Sequence, residues 1–249
     1  MAGHSKWANI KRQKARVDAK KGKTFTQLSR AIIVAARNGI ADPDGNFQLR
    51  TAIDKAKAAG VSNESIERSL AKGAGTYQDD DATLEEIRYE GYGVEGVAVL
   101  IEALTDNRNR TAAYLRSAFT KNGGNLGETG CVSWMFEQKG VVTLDTVEEE
   151  KLLEVSMEGE ADNYEIYEDE GAEVFTTIDN LEHLNQTFKK HDFPIKEVEL
   201  RWIPSNNIEI GDPESARSLL KLVDTLESLD DVQNVTANFD LTEELMNLE

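Results

Sequence analysis

Cysteine is nearly absent from this chain of 249 residues, which contains Cys131 alone. A single cysteine cannot form an intrachain disulfide, and this usage is typical of proteins from a reducing compartment. No apolar run reaches the roughly 18 residues that a membrane-spanning helix needs, and the N-terminus has no apolar stretch typical of a secretory signal. We therefore expect a cytoplasmic protein that does not contact a membrane.

Histidine is also scarce, with three residues in the chain. His183 and His191 lie eight positions apart on one predicted helix, more than about 10 Å along its axis, so they cannot share a metal ion. Cys131 lies at the start of a predicted strand, CVSWMFE, which favours a buried small residue over a nucleophile. The acidic clusters lack the ligand order and the glycine of an EF-hand. We predict no metal ion, no other cofactor and no catalytic residue.

Charge is distributed very unevenly along the chain. Residues 1–75 contain 15 Lys and Arg against 6 Asp and Glu, whereas the remaining 174 residues contain 13 against 40. The first segment therefore has a net charge of +9 and the rest of −27, and the overall value of −18 conceals this difference. Within the first segment, residues 1–23 hold eight cations, and Asp18 is their single anion. A basic arm on an acidic protein is typical of polyanion binding, so nucleic acid is the predicted partner.

The arm has no wide apolar face, because its cations fall on every side of a helical projection. Trp7 has two alternatives, packing on the helices that follow or stacking on an exposed base. In the acidic part, Arg108 and Arg110 lie at the start of a predicted helix, where anions are favoured, or else they neutralise nearby carboxylates. The predicted nucleic-acid-binding residues are Lys6, Trp7, Lys11, Arg12, Lys14, Arg16, Lys20, Lys21, Lys23, Arg108 and Arg110.

The glycines at positions 91, 93 and 96 match the GxGxxG pattern of nucleotide-binding loops. In dinucleotide sites a helix follows these glycines, whereas here the strand-like segment VAVLIEALT follows. A kinase-type loop would require VAIK, HRD and DFG segments, and the sequence contains none of them. We interpret the loop as the turn of a β-hairpin. A nucleotide-dependent enzyme that uses the Gly91–Gly96 loop is the less favoured alternative.

The periodicity of the apolar residues predicts the domain organisation. Three short amphipathic helices follow the arm and predict a small bundle. The chain then changes to strand patterns at 87–92 and 97–105, followed by a helix over 109–122. Residues 140–203 have the order strand, helix, strand, strand, helix, strand, which is the ferredoxin-like arrangement. The last strand and helix patterns are too few for a domain, so we expect them to complete the sheet begun at 87–105.

The sequence therefore predicts an α+β multidomain protein, with an N-terminal helical bundle and two α+β domains, one ferredoxin-like and inserted in the other. The predicted boundaries are 1–75 for the arm and bundle, 84–130 plus 207–240 for the first α+β domain, and 131–206 for the inserted domain.

Seven sequence blocks resemble the YebC/PmpR family, and together they cover essentially the whole chain. They are GHSKWANIK near the start, KGKTFTQLSRAI at 21–32, KGAG at 72–75, YEGYG at 89–93, TDNRNRT at 105–111, GGNLG at 123–127 and DDVQNV at 230–235. The family usually has Pro-Gly where this chain has Val94-Glu95, so this hairpin is expected to differ.

The resemblance implies three domains and a cytoplasmic, non-enzymatic regulator of gene expression. Members are described as probable DNA-binding transcriptional regulators, and we take this as the predicted function. The alternative is a translation factor bound to RNA or the ribosome, because the family includes the mitochondrial translational activator of cytochrome c oxidase. Either function implies a nucleic acid as the partner, and no small-molecule substrate is expected.

Overall fold

The structure, a computed structural model, describes residues 25–77, 84–145, 147–167 and 171–246. These residues cluster into two compact units, one made of residues 136–203 and the other combining the described residues before 136 with residues 204–246. Helices and antiparallel sheets together confirm the predicted α+β class. The predicted division into three domains stays a prediction. No described helix is both long enough and apolar enough to cross a bilayer.

The order of helices and strands along the chain agrees closely with the order predicted from the amino-acid sequence. In chain order they are α1 (Phe25–Arg37), α2 (Phe47–Ala58), α3 (Asn63–Gly73), β1 (Glu85–Tyr92), β2 (Ala98–Thr105), α4 (Arg108–Lys121), β3 (Asn125–Leu126), β4 (Phe136–Leu144), α5 (Glu149–Glu158), β5 (Asn163–Tyr167), β6 (Gly171–Thr176), α6 (Leu181–Lys190), β7 (Ile195–Pro204), β8 (Ile208–Ile210), α7 (Pro213–Glu227), β9 (Val232–Ala237), β10 (Phe239–Leu241) and α8 (Glu243–Met246).

The three N-terminal helices begin and pack as the sequence predicts. The Asn46 side chain accepts a hydrogen bond from the Leu49 N–H at the start of α2, and Ser62 does the same for the Ser65 N–H at the start of α3. The apolar faces of the helices enclose a small core. Its buried members are Leu28, Ile32, Ala35, Ala36, Leu49, Ile53, Ala56, Val61 and Ile66.

The main sheet of the larger unit has the strand order β3-β1-β2-β9, and all its neighbours are antiparallel. Helices α4 and α7 contact each other and share the core of this sheet, in which Leu115, Phe119 and Leu222 are fully buried. The two helices therefore lie side by side.

The loop with the GxGxxG pattern is a hairpin turn, as predicted. Tyr92 lies opposite Ala98, and the Gly93 N–H donates to the Val97 carbonyl at 2.7 Å. A Cβ atom at Gly91 would lie 2.7 Å from the carbonyl oxygen of Asn125, and one at Gly93 would lie 2.6 Å from a Leu219 methyl. Close packing therefore accounts for these two glycines without a ligand.

The last predicted strand, 232–239, is interrupted at Asn238. The Asn238 side chain accepts from the Ala98 N–H at 2.6 Å, and its carbonyl accepts from the Ile208 N–H at 2.8 Å. Beyond this point β10 leaves the main sheet and pairs in parallel with β8. The expectation that the C-terminal strands complete the main sheet is thus confirmed for β9 and wrong for β8.

The unit of residues 136–203 contains a four-stranded sheet in the order β5-β6-β4-β7. Strand β6 pairs antiparallel with both β4 and β5. Helix α5 connects β4 to β5, and α6 connects β6 to β7. This is the strand order that a split βαβ connection produces. Leu152, Leu184 and Phe188 from the two helices are fully buried.

The predicted strand CVSWMFE is wrong at its start, because β4 begins only at Phe136. The preceding residues form a turn that is held by the carboxylate of Glu90. This carboxylate accepts from the N–H groups of Gly130 at 2.7 Å, Val132 at 2.6 Å and Ser133 at 2.8 Å. Amides that converge on one carboxylate cannot at the same time form a strand ladder.

The environment of Glu90 makes the larger unit sensitive to acid. Burial alone would raise the pKa of Glu90, but its three backbone donors outweigh burial and hold the pKa below the ordinary value of 4.5. Its contribution to stability is therefore complete above that value and is lost as the pH falls through the lowered pKa.

We expect Glu90→Gln to lower the free energy of unfolding at neutral pH by about 1.5–3 kcal/mol, because a charged acceptor of several buried donors is removed. The difference from the wild type should shrink as the pH falls below about 4.5. Chemical unfolding as a function of pH measures both effects. Glu85→Gln, on the exposed start of the same strand, is the control. An equal loss in the two variants would contradict the assigned role.

Candidate nucleic-acid interface

Most of the predicted interface lies outside the described residues. This applies to Lys6, Trp7, Lys11, Arg12, Lys14, Arg16, Lys20, Lys21 and Lys23. The described chain begins at Phe25, which is the first residue of α1, so the basic arm joins the structure at the N-terminal end of this helix. The surroundings of α1 therefore define where the arm is attached.

Helix α1 is fixed to the turn between α7 and β9. The buried Gln27 amide lies within hydrogen-bond distance of the carbonyl oxygens of Glu227 at 3.0 Å, Leu229 at 3.1 Å and Val232 at 3.2 Å. Carbonyl groups at the end of a helix have no donor within that helix. A single side chain of α1 thus supplies donors to a turn 200 residues away in sequence.

Asp231, in the same turn, joins α1 to α4. The Arg30 guanidinium pairs with Asp231 Oδ1 and also donates to the Asp230 carbonyl. On the other side, Asp231 Oδ2 accepts from the Thr111 hydroxyl at 2.6 Å and from Arg110 Nη2 at 3.1 Å. The Asp231 side chain is only 9% exposed. We call Asp231 with Arg30, Arg110 and Thr111 the Asp231 node.

The negative charge of the Asp231 carboxylate is stabilised by the groups that surround it. Burial would raise the pKa of Asp231, but the hydrogen bonds from Thr111, Arg30 and Arg110 together hold it below its usual value. Hydrogen bonds from Arg110 to Asp231 and then to Asp106 raise the pKa of this guanidinium. A buried carboxylate that loses such a partner is left unpaired, which is strongly unfavourable.

Arg108 and Arg110, which the sequence treats alike, have different surroundings. Arg110 pairs with Asp106 and Asp231. Of the two alternatives given for this residue, its geometry therefore fits the neutralisation of nearby carboxylates. Arg108 is exposed at the first residue of α4, and no carboxylate of the described residues pairs with it. Its carbonyl accepts from the Tyr89 hydroxyl at 3.1 Å, which fixes the start of the helix.

The Asp231 node brings together three sequence blocks that are far apart in the chain. Arg30 belongs to KGKTFTQLSRAI, Arg110 and Thr111 to TDNRNRT, and Asp231 to DDVQNV. Gln27, Arg30 and Asp231 were not among the binding residues predicted from the sequence. A signal existed for Gln27, which lies beside Leu28 on the buried face of an amphipathic helix, where a polar side chain needs a partner.

The described residues also bear on the enzyme alternative. Burial and the nearby Glu90 carboxylate raise the pKa of the Cys131 thiol, so the thiolate is disfavoured at neutral pH. Among the described side chains, no group of three His, Cys, Asp or Glu residues is placed to hold a metal ion.

Comparison with known proteins identifies the family of this chain. A family model described as "TACO1/YebC protein N-terminal domain" matches residues 5–76, and a model described as "TACO1/YebC second and third domain" matches residues 84–239. The chain belongs to the TACO1/YebC family. The resemblance in the seven sequence blocks is thereby confirmed.

Similar TACO1/YebC sequences extend over the whole chain. A protein of Gloeothece citriformis is 74% identical over 100% of this chain and 99% of its own length, and one of Trichormus variabilis is 74% identical over 99% and 98%. Both are named "Probable transcriptional regulatory protein". The crystal structure of a conserved hypothetical protein from Aquifex aeolicus is 44% identical, with a TM-score of 0.82 over 94% of this chain and 96% of that one.

The two arginines in the first turn of α4, Arg108 and Arg110, should respond differently to removal. Arg110→Ala leaves Asp231 with Arg30 as its single cationic partner among the described residues, beside the hydroxyls of Thr111 and Thr105, so we expect the free energy of unfolding to fall by about 1–2 kcal/mol. This is less than for a fully buried pair, because the Arg110 side chain is 38% exposed. Arg108→Ala should leave stability unchanged. Thermal unfolding of both variants measures this, and equal effects would contradict the distinction.

Proposed function

We propose that this protein is a DNA-binding regulator of transcription that acts in the cytoplasm and has no enzymatic activity. Relatives that match nearly the full length of the chain bear the name of probable transcriptional regulatory proteins. The charge distribution supports a nucleic acid as the ligand, because residues 1–75 carry a net charge of +9 on a body of −27, and the name of the relatives favours DNA.

The observation that carries this proposal is the place where the basic arm is attached. Phe25 precedes Arg30 by five residues, which is about 7.5 Å along a helix. Arg30 and Arg110 bind the same carboxylate, so the N-terminal end of α1 lies near the start of α4. A polyanion bound by the arm would therefore pass close to Arg108.

The proposed division of labour follows from electrostatics. The arm residues from Lys6 to Lys23 neutralise phosphates and release counterions, and Trp7 stacks on a base that becomes exposed. Most of the body repels DNA, so its contacts have to be local. At the start of α4, Arg108 and the free backbone amides of the first turn converge on one phosphate, and Arg110 holds this helix end in place through Asp231.

Neutralising the arm tests the proposal. We expect about four of its eight cations to meet phosphates, so the arm should contribute about −3.6 to the slope of the logarithm of the DNA affinity against the logarithm of the salt concentration. Changing all eight Lys and Arg residues of the arm to Gln in the full chain should remove this contribution and leave only the part of the slope that comes from the body. Fluorescence anisotropy with a labelled duplex measures it.

The matched control neutralises four exposed cations of the other unit: Lys151, Lys189, Lys190 and Lys196. This variant should retain the wild-type slope. An unchanged slope in the arm variant would contradict the arm as the main contact.

The nature of the nucleic acid is tested in cells. After ultraviolet crosslinking, the material bound to the protein is sequenced, with the arm variant as the background control. We expect DNA fragments that are concentrated at promoters. Ribosomal RNA as the main product would overturn the transcriptional assignment in favour of translation.

A further inference from the structure

Helix α4 differs in charge from the other helices of the acidic part. Its sequence, RNRTAAYLRSAFTK, contains four cations and no carboxylate. Among the described helices after residue 84, α5, α6, α7 and α8 each contain at least one Glu. A helix without acidic residues is conspicuous in a segment that carries 40 Asp and Glu against 13 Lys and Arg.

Three of the four cations on α4 have no carboxylate partner among the described residues. Arg110 pairs with Asp106 and Asp231, whereas Arg108, Arg116 and Lys121 are exposed and have no ion pair with any described residue. Elsewhere in the acidic part, cations such as Lys139, Lys151, Lys190, Lys196 and Arg201 pair with carboxylates. On a helical projection Arg116 and Lys121 lie on either side of the exposed face of α4, and Arg108 lies at its first turn, so this helix is basic within an acidic body.

The surface between these cations suits close approach by a polymer backbone. Asn109, Ala113, Ser117 and Thr120 are exposed there, and all of them are small or have short polar side chains. Asn, Ser and Thr are common partners of phosphate oxygens and sugars in protein–DNA complexes. Tyr114, which is 54% exposed, adds a hydroxyl at the edge of the surface.

We propose that the outward face of α4 is a second contact for the phosphate backbone of duplex DNA, with Arg116 and Lys121 as the phosphate ligands on either side of this face and Arg108 as a further ligand at the start of the helix. The inference rests on the proposed function and names the part of the body that shares the ligand of the arm. From Arg108 to Lys121 the helix is about 20 Å long. One strand of a duplex presents about six phosphates over this length.

The position of α4 in the fold supports continuity with the arm. The Asp231 node holds the start of α4 beside α1, and the arm ends two residues before the first residue of α1. DNA that leaves the arm near Arg108 can follow α4 towards Lys121. No described carboxylate is paired with the three cations, so among these residues none competes with a phosphate.

The neighbouring helix α7 provides a matched control. Arg217 and Lys221 are exposed on its outer face and are four residues apart, but Glu214 and Asp224 are exposed on the same helix. The pair Arg116→Ala and Lys121→Ala removes two charges from α4, and the pair Arg217→Ala and Lys221→Ala removes two charges from α7. All four changes place Ala in an exposed helix, where it is well tolerated.

Salt-dependent binding of the full chain to a labelled DNA duplex separates the outcomes. The α4 variant should bind several-fold more weakly at low salt, and its slope should be about 1.8 smaller in magnitude, since two phosphate contacts are lost. The α7 variant should retain the wild-type slope. Equal losses in the two variants would overturn the proposal, because they would show only a general effect of net charge.

The same binding measurements distinguish a failure of this inference from a failure of the proposed function. If the α4 variant binds like the wild type while neutralising the arm abolishes binding, this inference fails and the proposed function stands. If the wild type binds no duplex, both fail. If the α4 variant loses affinity for single-stranded RNA and not for the duplex, the assignment of DNA to this face is overturned.

Discussion

The larger unit depends on the carboxylate of Asp231, which is shared by Arg30 from the N-terminal helices and Arg110 from α4. A buried carboxylate needs both charge and hydrogen bonds, and here Thr111 supplies the additional donor. Because its partners come from two distant parts of the chain, this one side chain, together with Gln27, sets the position of α1 beside the turn that precedes β9. It also brings the attachment point of the basic arm next to the start of α4.

The uneven distribution of charge connects the position of α1 beside α4 with the proposed function. Under the proposed function, an acidic body limits non-specific contact with nucleic acid, while the arm supplies attraction that depends on salt. The proposal then confines contacts between the body and DNA to places where acidic residues are missing or already paired. The node removes the charge of Arg110 from this role and leaves Arg108 exposed. Helix α4 extends the exposed basic surface from Arg108 to Lys121.

Local patterns predicted the fold well, and tertiary partners explain where they failed. Periodicity and caps located the helices, because the Ser62 cap is a local interaction. The strand predicted from Cys131 failed because Glu90 accepts hydrogen bonds from the N–H groups of Val132 and Ser133, 42 and 43 residues later in the chain. The break at Asn238 depends on Ala98 and has no local sequence signal. For the same reason the sequence indicated Arg108 and Arg110 alike but did not show that Asp231, 121 residues later, holds Arg110.

The most direct test of the account is hydrogen exchange of the full-length protein with and without duplex DNA, resolved by peptide. A surface that joins the arm to α4 predicts slower exchange in residues 108–121 and at the start of α1 when DNA is bound. Residues 136–203, which contain 19 Asp and Glu against 6 Lys and Arg, should exchange at unchanged rates. Protection of residues 136–203 without any change in α4 would contradict the account.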